Sequence, residues 1–434
     1  MKEEVEVSMR TRERDMDMDI DMDIDVSKQS IRILNRASSF FREYSDVFKQ
    51  APLSLVFCTL TGLLAGLGLS FMRDILQLLP ELMILIPPAI DMRGNVYSAL
   101  VSRLGTSMHL GLFSKSMRRG SVLYQNAYSS LLLTLALSVI LGVLARLVAF
   151  AFGMSRISIF GFVFISVIGG LISGFVLLGI AILVSIIGYH RNWDLDNVSS
   201  PIITSAGDMV TIPSLMLATL LLLKLDSTPV YFNTSSLLFM ALAVVGTIKG
   251  LKSSDTVVRR IIKESIPMLI ICGILGIFAG LVLDRRLESI IAIPAILVMI
   301  PPFLGASNAL GGILSARLSS MLHIGTLNPK LYPPKSVVMN FTVIYLLSVF
   351  IFALVGIISG VIGGRSGVLV LRLLSISMLG GILCSTFLNF ASYYIAILSF
   401  KFGLDPDNDT IPLITSLTDV VGVLCLIFAM SLIL

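Results

Sequence analysis

The chain alternates between apolar runs longer than a bilayer is thick and short polar joints. A helix needs about 20 predominantly apolar residues to cross the hydrocarbon core. Runs of that length fall near 52–72, 75–100, 122–150, 158–189, 201–224, 229–249, 266–284, 289–314, 337–363, 368–400 and 412–434. They predict eleven membrane-spanning helices and a polytopic all-α membrane protein. Several runs contain Pro or Gly, and the longest have length to spare for tilt or a break.

The pattern also repeats. At an offset of 214 residues, Cys58 meets Cys272, Asp74 meets Glu288, Pro80 meets Pro294 and Pro87-Pro88 meets Pro301-Pro302. Arg103-Leu104 then meets Arg317-Leu318, His109 meets His323, Gly111 meets Gly325 and Asn126 meets Asn340. At an offset of 211, Gly169-Gly170 meets Gly380-Gly381, and the polar run Asp194–Asp208 meets Asp405–Asp419. Apolar segments match by chance, whereas Pro, His, Arg, Asn and Asp at fixed offsets do not. The layout is two five-helix repeats, 51–225 and 266–434, joined by a segment at 226–265 that holds one more helix and a basic loop. Five crossings alone would invert the second repeat. The linking helix adds one, so both repeats enter from the same side, related by an axis along the membrane normal. Two such repeats in one chain stand in for a homodimer, which predicts a monomer.

Composition agrees with the pattern. Of 434 residues, 56% are hydrophobic and 14% charged, against about 25% charged in soluble proteins, and the mean hydropathy is +0.94. A soluble enzyme is excluded. Residues 1–50 hold 9 of the Lys and Arg and 12 of the Asp and Glu, and form a polar arm. Its Asp15–Asp25 alternation repels itself, which predicts disorder; a cation-sensing tail is the rival reading. The charged start and the late first apolar run, at Pro52-Leu53, predict no signal peptide. The net charge of +5 reads as basic loops at a membrane surface, not as nucleic-acid binding. Placing the N-terminus in the cytoplasm puts 23 Lys and Arg inside and 8 outside, with Arg93 inside a span. That orientation leaves the C-terminus outside, in a cell membrane.

Two intramembrane carboxylates stand out, because such groups are costly and functional by default. Asp208 lies seven residues after Pro201, and Asp419 seven after Pro412. Each Pro suits the first turn of a helix, which predicts an Asp about two turns deep. Thr204, Asp208 and Thr211 share one helical face, as do Thr415, Asp419 and Gly422. Ser205 and Ser416 adjoin those faces. Two carboxylates with hydroxyl and carbonyl oxygens make a hard-oxygen site that suits Mg²⁺ with part of its water shell. The alternative is that each Asp only hydrogen-bonds a neighbouring helix. A second constellation is Pro87-Pro88-Ala-Ile-Asp91-Met-Arg-Gly94-Asn95 and its mate Pro301–Asn308, with the Asn displaced by one position. Paired prolines there either open the helix and free carbonyls to a wet cavity or merely kink it. No zinc-protease pattern is present: His109 is followed by Leu-Gly-Leu-Phe and His323 by Ile-Gly-Thr-Leu.

The run Pro-x-x-Thr-Ser-x-x-Asp at 201–208 and again at 412–419 resembles the last span of the MgtE family of divalent-cation transporters. The Pro-Pro…Gly-Asn…Arg-Leu segment at 87–104 is similar to that family's second span, and the tandem layout to solute carrier family 41. The resemblance implies divalent-cation transport, Mg²⁺ first, with no cofactor and no enzymatic activity. It implies an ion path at Asp208 and Asp419, with Thr204, Thr415, Ser205, Ser416, Thr211, Asn95 and Asn308 beside them. A Na⁺- or H⁺-coupled exchanger using the same carboxylates stays open, as does, less favoured, a membrane-embedded enzyme. The bacterial members' soluble gating domains have no counterpart in the 50-residue arm, so the resemblance does not carry that gating over.

Overall fold

Thirteen helices are present among the described residues of the computed structural model, which are 42, 44–109, 111, 113–191, 195–225, 229–323, 325–330, 332–363, 367–401 and 406–434. The Asp-rich arm, Asp194 and Asp405 lie outside them. The helices are α1 (Ser45–Phe71), α2 (Arg73–Leu78), α3 (Leu82–His109), α4 (Val122–Ala151), α5 (Ile159–Arg191), α6 (Leu195–Leu225), α7 (Pro229–Leu251), α8 (Thr256–Asp284), α9 (Leu287–Ala292), α10 (Pro294–His323), α11 (Lys335–Gly363), α12 (Gly367–Lys401) and α13 (Pro406–Ile433). Two units divide the chain, residues 1–53 and 54–434. The described part of the first is residue 42 and the opening of α1 from Tyr44; the second holds everything below.

Among the described residues, ten helices are long and apolar enough to cross a membrane. The eleventh expected span, α3, is 28 residues long, about 42 Å at 1.5 Å per residue. It falls outside the apolar set because Asp91, Arg93 and Arg103 lie in it. The runs at 75–100 and 289–314 are not single helices, as the apolar pattern suggested. Each divides into a six-residue helix and a long one. The reason is Pro80 and Pro294: a residue before proline is pushed out of the helical region. Leu79 has φ −128° and ψ 71°, and Ile293 has φ −121° and ψ 92°.

The matched positions form matched structure. Arg103 Nε donates to Asn126 Oδ1 at 2.8 Å, and Arg317 Nε to Asn340 Oδ1 at 2.6 Å. Gly111 (φ 69°) and Gly325 (φ 77°) turn the chain out of α3 and α10, a conformation that side chains with a Cβ resist. Phe113 N–H then bonds Ser107 O and Leu327 N–H bonds Met321 O, at 3.1 and 3.0 Å.

The proline pairs do not open their helices: α3 and α10 run through them unbroken. A proline leaves the carbonyl four residues earlier without its helical donor. Those carbonyls are buried in protein rather than set against a wet cavity. A Cβ added to Gly280 of α8 would come within 2.4 Å of Met83 O and 2.7 Å of Ile84 O, and one on Gly66 of α1 within 2.1 Å of Val298 O. One turn away, Gly62 sits on Pro302 and Gly276 on Pro88, each added Cβ falling 2.7 Å from the proline Cα. The first span of each repeat therefore packs a Gly-x-x-x-Gly face on the other repeat's proline pair. Small residues at that spacing let helix backbones approach in a membrane, where no hydrophobic effect drives them together. The reciprocity (first on second, second on first) is that of a two-fold interface.

The linking helix α7 lies mainly on the first repeat and also touches α8, where Gly250 meets Ile262. Ala243 packs with Val139 of α4 and Val163 and Val167 of α5, and Ser236 Oγ donates to Phe160 O at 2.9 Å. Its other face, with Val230, Tyr231, Leu237, Leu238, Leu242 and Val244, is exposed apolar surface of the kind a lipid-facing helix presents.

Candidate cation site

Four helices bring the polar groups together: α3 and α6 of the first repeat, α10 and α13 of the second. α3 packs on α6, and α10 on α13. The Asp helices begin earlier than the prolines suggested, at Leu195 and Pro406, so Pro201 and Pro412 lie inside them rather than in the first turn. Asp, Asn and Ser at 196–200 and Asp407, Asn408 and Asp409 supply the extra turns, since acidic and hydroxyl residues favour helix N-termini. Asp208 is thus 13 residues into α6, about 20 Å along the helix.

Asp419 is 5% exposed. Asn308 Nδ2 donates to its Oδ1 at 2.8 Å, while Asn308 Oδ1 is buried without a partner. Its repeat mate differs. Position 94 matches Asn308 but is glycine, and no described side chain donates to Asp208, which is half-buried. Gly94 instead lets α6 close in: a Cβ there would lie 3.3 Å from Thr204 Cγ2. Asn95 turns to its own helix and donates to Asp91 Oδ1 at 3.1 Å.

Asp91 is the residue that sequence reasoning passed over. Ser416 Oγ, from α13 of the other repeat, donates to its Oδ2 at 2.8 Å. Asp91, Asp208 and Asp419 lie within electrostatic reach of one another. The signal was available, since Asp91 is as much an intramembrane carboxylate as Asp208. Its repeat mate is Gly305, so the test of matching positions did not select it.

The remaining expected residues divide. Ser416, Asn95 and Asn308 join the carboxylates. Ser205 does not: its hydroxyl donates to Cys58 Sγ at 3.5 Å. Thr415 bonds the Pro412 carbonyl at 3.0 Å, a common fate for a hydroxyl inside a helix. Thr211 is fully buried and its hydroxyl has no partner. Cys272 Sγ lies 3.8 Å from Pro412 O. Among the described residues, no three Asp, Glu, His or Cys side chains converge on the position of one bare metal ion. The three carboxylates are within electrostatic reach of one another without forming such a cluster.

A family model for MgtE, divalent cation transporter, matches residues 86–218 and 300–429, together more than half of the chain. The protein belongs to the MgtE family. It is a multi-pass membrane transporter of divalent cations, not an enzyme, and it carries the family unit twice. Mouse solute carrier family 41 member 3 is 24% identical over 394 residues, 83% of this chain and 78% of that protein. The rat protein of the same name is 24% identical over 367 residues, with 79% and 77% covered. Chicken solute carrier family 41 member 2 is 25% identical over 276 residues, 60% of this chain and 46% of that protein.

Proposed function

We propose that the chain conducts a divalent cation, Mg²⁺ foremost, along the interface of its two repeats, past Asp208 and Asp419. The observation that carries this reading is the pair itself. Two repeat-mate carboxylates lie within electrostatic reach of each other deep in apolar helices, and neither is neutralised by a Lys or Arg among the described residues; the one ion pair described is Arg260–Glu264, elsewhere. Carboxylates that do not converge on one point suit an ion that keeps several waters. Mg²⁺ dehydrates reluctantly and is commonly held that way. Asn308 and Ser416 then orient the carboxylates and reach the water shell.

The N-terminus is cytoplasmic and the C-terminus outside, on the Lys and Arg bias of the loops. An inside-negative potential then favours entry by about 2.3 kcal/mol per charge per 100 mV. The chain works as a monomer, since the second repeat occupies the place a second copy would take.

The test is Mg²⁺ uptake into proteoliposomes driven by an inward gradient. Asp208→Asn and Asp419→Asn each keep shape and remove charge, and each is expected to cut initial uptake at least about tenfold, the ratio equivalent to 1.4 kcal/mol. Normal uptake by both variants would overturn the assignment. Imposing a Na⁺ or pH gradient at zero potential separates an exchanger from a channel, because a channel responds to potential and the Mg²⁺ gradient alone.

A further inference from the structure

We infer that Asp91 is a third, unpaired carboxylate of the ion site, so that the cation is held off the pseudo-two-fold axis, on the side of Asp91, Ser416 and Asp419. This rests on the ion path proposed above.

The geometry comes in two halves that ought to match. In the first half, α3 offers Asp91, and it faces Ser416 and Asp419 of α13. Ser416 Oγ reaches Asp91 Oδ2 at 2.8 Å across 325 residues of sequence. In the second half, α10 offers Gly305, and it faces Asp208 of α6. A Cβ built on Gly305 would stand 3.6 Å from Asp208 Oδ2, an ordinary van der Waals distance. The place that a carboxylate fills on one side is left open on the other.

Each oxygen of Asp91 already accepts one hydrogen bond, from Asn95 and from Ser416. Both donors are neutral, so the carboxylate is oriented without being neutralised. The basic residue nearest in sequence points elsewhere: the Arg93 side chain is fully buried and donates Nη2 to Ser138 Oγ of α4 at 2.8 Å. The negative charge at position 91 is thus left for a cation. Asp208, opposite, has no described donor, and position 305 beside it is glycine. A cation midway between the halves would feel two carboxylates on the Asp91 side and one on the other.

A charge acts on an ion in proportion to the ion's own charge, and this separates an electrostatic ligand from a packing residue. The experiment uses the full chain in proteoliposomes, measuring the Mg²⁺ concentration for half-maximal uptake. Block by hexaamminecobalt(III), a trivalent complex near the size of hydrated Mg²⁺, is measured alongside. Asp91→Asn is expected to weaken Mg²⁺ about tenfold and the trivalent blocker about thirtyfold, as one lost charge predicts for ions of charge two and three. The paired variant Asp91→Gly with Gly305→Asp moves the carboxylate to the mirror position and is expected to recover most of both losses. It also carries the test if Asp91→Asn alone does not fold.

Unchanged constants in Asp91→Asn, with Asp208→Asn and Asp419→Asn inactive, would overturn the role of Asp91 and leave the ion path standing. Equal losses for both ions, with no recovery in the paired variant, would reduce Asp91 to a tie between helices and overturn it too. Normal transport in Asp208→Asn and Asp419→Asn would instead remove the ion path itself.

Discussion

Gly280→Leu yields no folded transporter. A Cβ at position 280 already stands 2.4 Å from Met83 O and 2.7 Å from both Ile84 O and Ile84 Cα. These are backbone atoms of another long helix, so nothing flexible can yield. Overpacking by a methylene or two usually costs about 1–3 kcal/mol; here a whole side chain must be seated between two backbones, and the cost exceeds that range. The carbonyls involved are those deprived of helical donors by Pro87 and Pro88, so parting the helices exposes unsatisfied groups in a medium with no water to receive them. Gly66→Leu meets Val298 O at 2.1 Å on the mirror side and behaves alike. The expected readout is loss of the monodisperse peak in detergent size-exclusion chromatography. Leucine at Gly179 or Gly312, where an added Cβ finds nothing within 4 Å, serves as control and elutes like the parent. A normal profile for Gly280→Leu would refute the docking of the repeats through these faces.

Gly381→Ala lowers the melting temperature by several degrees. The added methyl would lie 2.1 Å from Phe352 Cδ2, and that ring is itself pinned by Phe303, 4.9 Å away between centroids. Relief costs about 1–3 kcal/mol. The first repeat is as tight at the same place but filled differently, with Gly170, Ser138 and Arg93 at the positions of Gly381, Phe352 and Ser307. There a serine and an arginine fill the space that one phenylalanine fills in the second. Their frames agree closely: Ser166 Oγ bonds Ser138 O and Ser377 Oγ bonds Phe352 O, both at 2.7 Å. Thermal unfolding followed by a thiol-reactive dye on the buried cysteines reads the effect. A single substitution with an unchanged midpoint would show that position 381 is looser than the geometry implies.

These two cases also mark how far the sequence is legible. Gly62, Gly66, Gly276 and Gly280 stand at positions matched by the 214-residue offset, but the repeat pattern alone did not single them out. Their partners were hidden as well, because a glycine face gives the spacing of a close contact and nothing about which helix makes it. Pro87-Pro88 left two outcomes open, a broken helix or a continued one. Burial of the freed carbonyls against the glycines decided for the continued helix, since a protected carbonyl has no need of a cavity.

The same division runs through the site. Asp208 and Asp419 were found from the scarcity of charge and the repeat. Asn308 was nominated and does hold Asp419. Ser205 and Ser416 occupy matching positions and were nominated alike, yet one hydroxyl bonds a thiol and the other a carboxylate. The difference arises because position 91 is Asp and position 305 is Gly, so only one serine finds an acceptor across the interface.

The sequence by itself determined most of the apolar helices, the internal repeat, the family unit in duplicate and two carboxylates in apolar surroundings. Each is a property of spacing along one chain, where apolar length and matched polar residues are read directly. Only the tertiary structure decided that the first span of each repeat docks on the other, and that Asp91 meets Ser416. Such contacts depend on how helices are rotated and how near their backbones come, and both are set by the side chains of two distant segments at once.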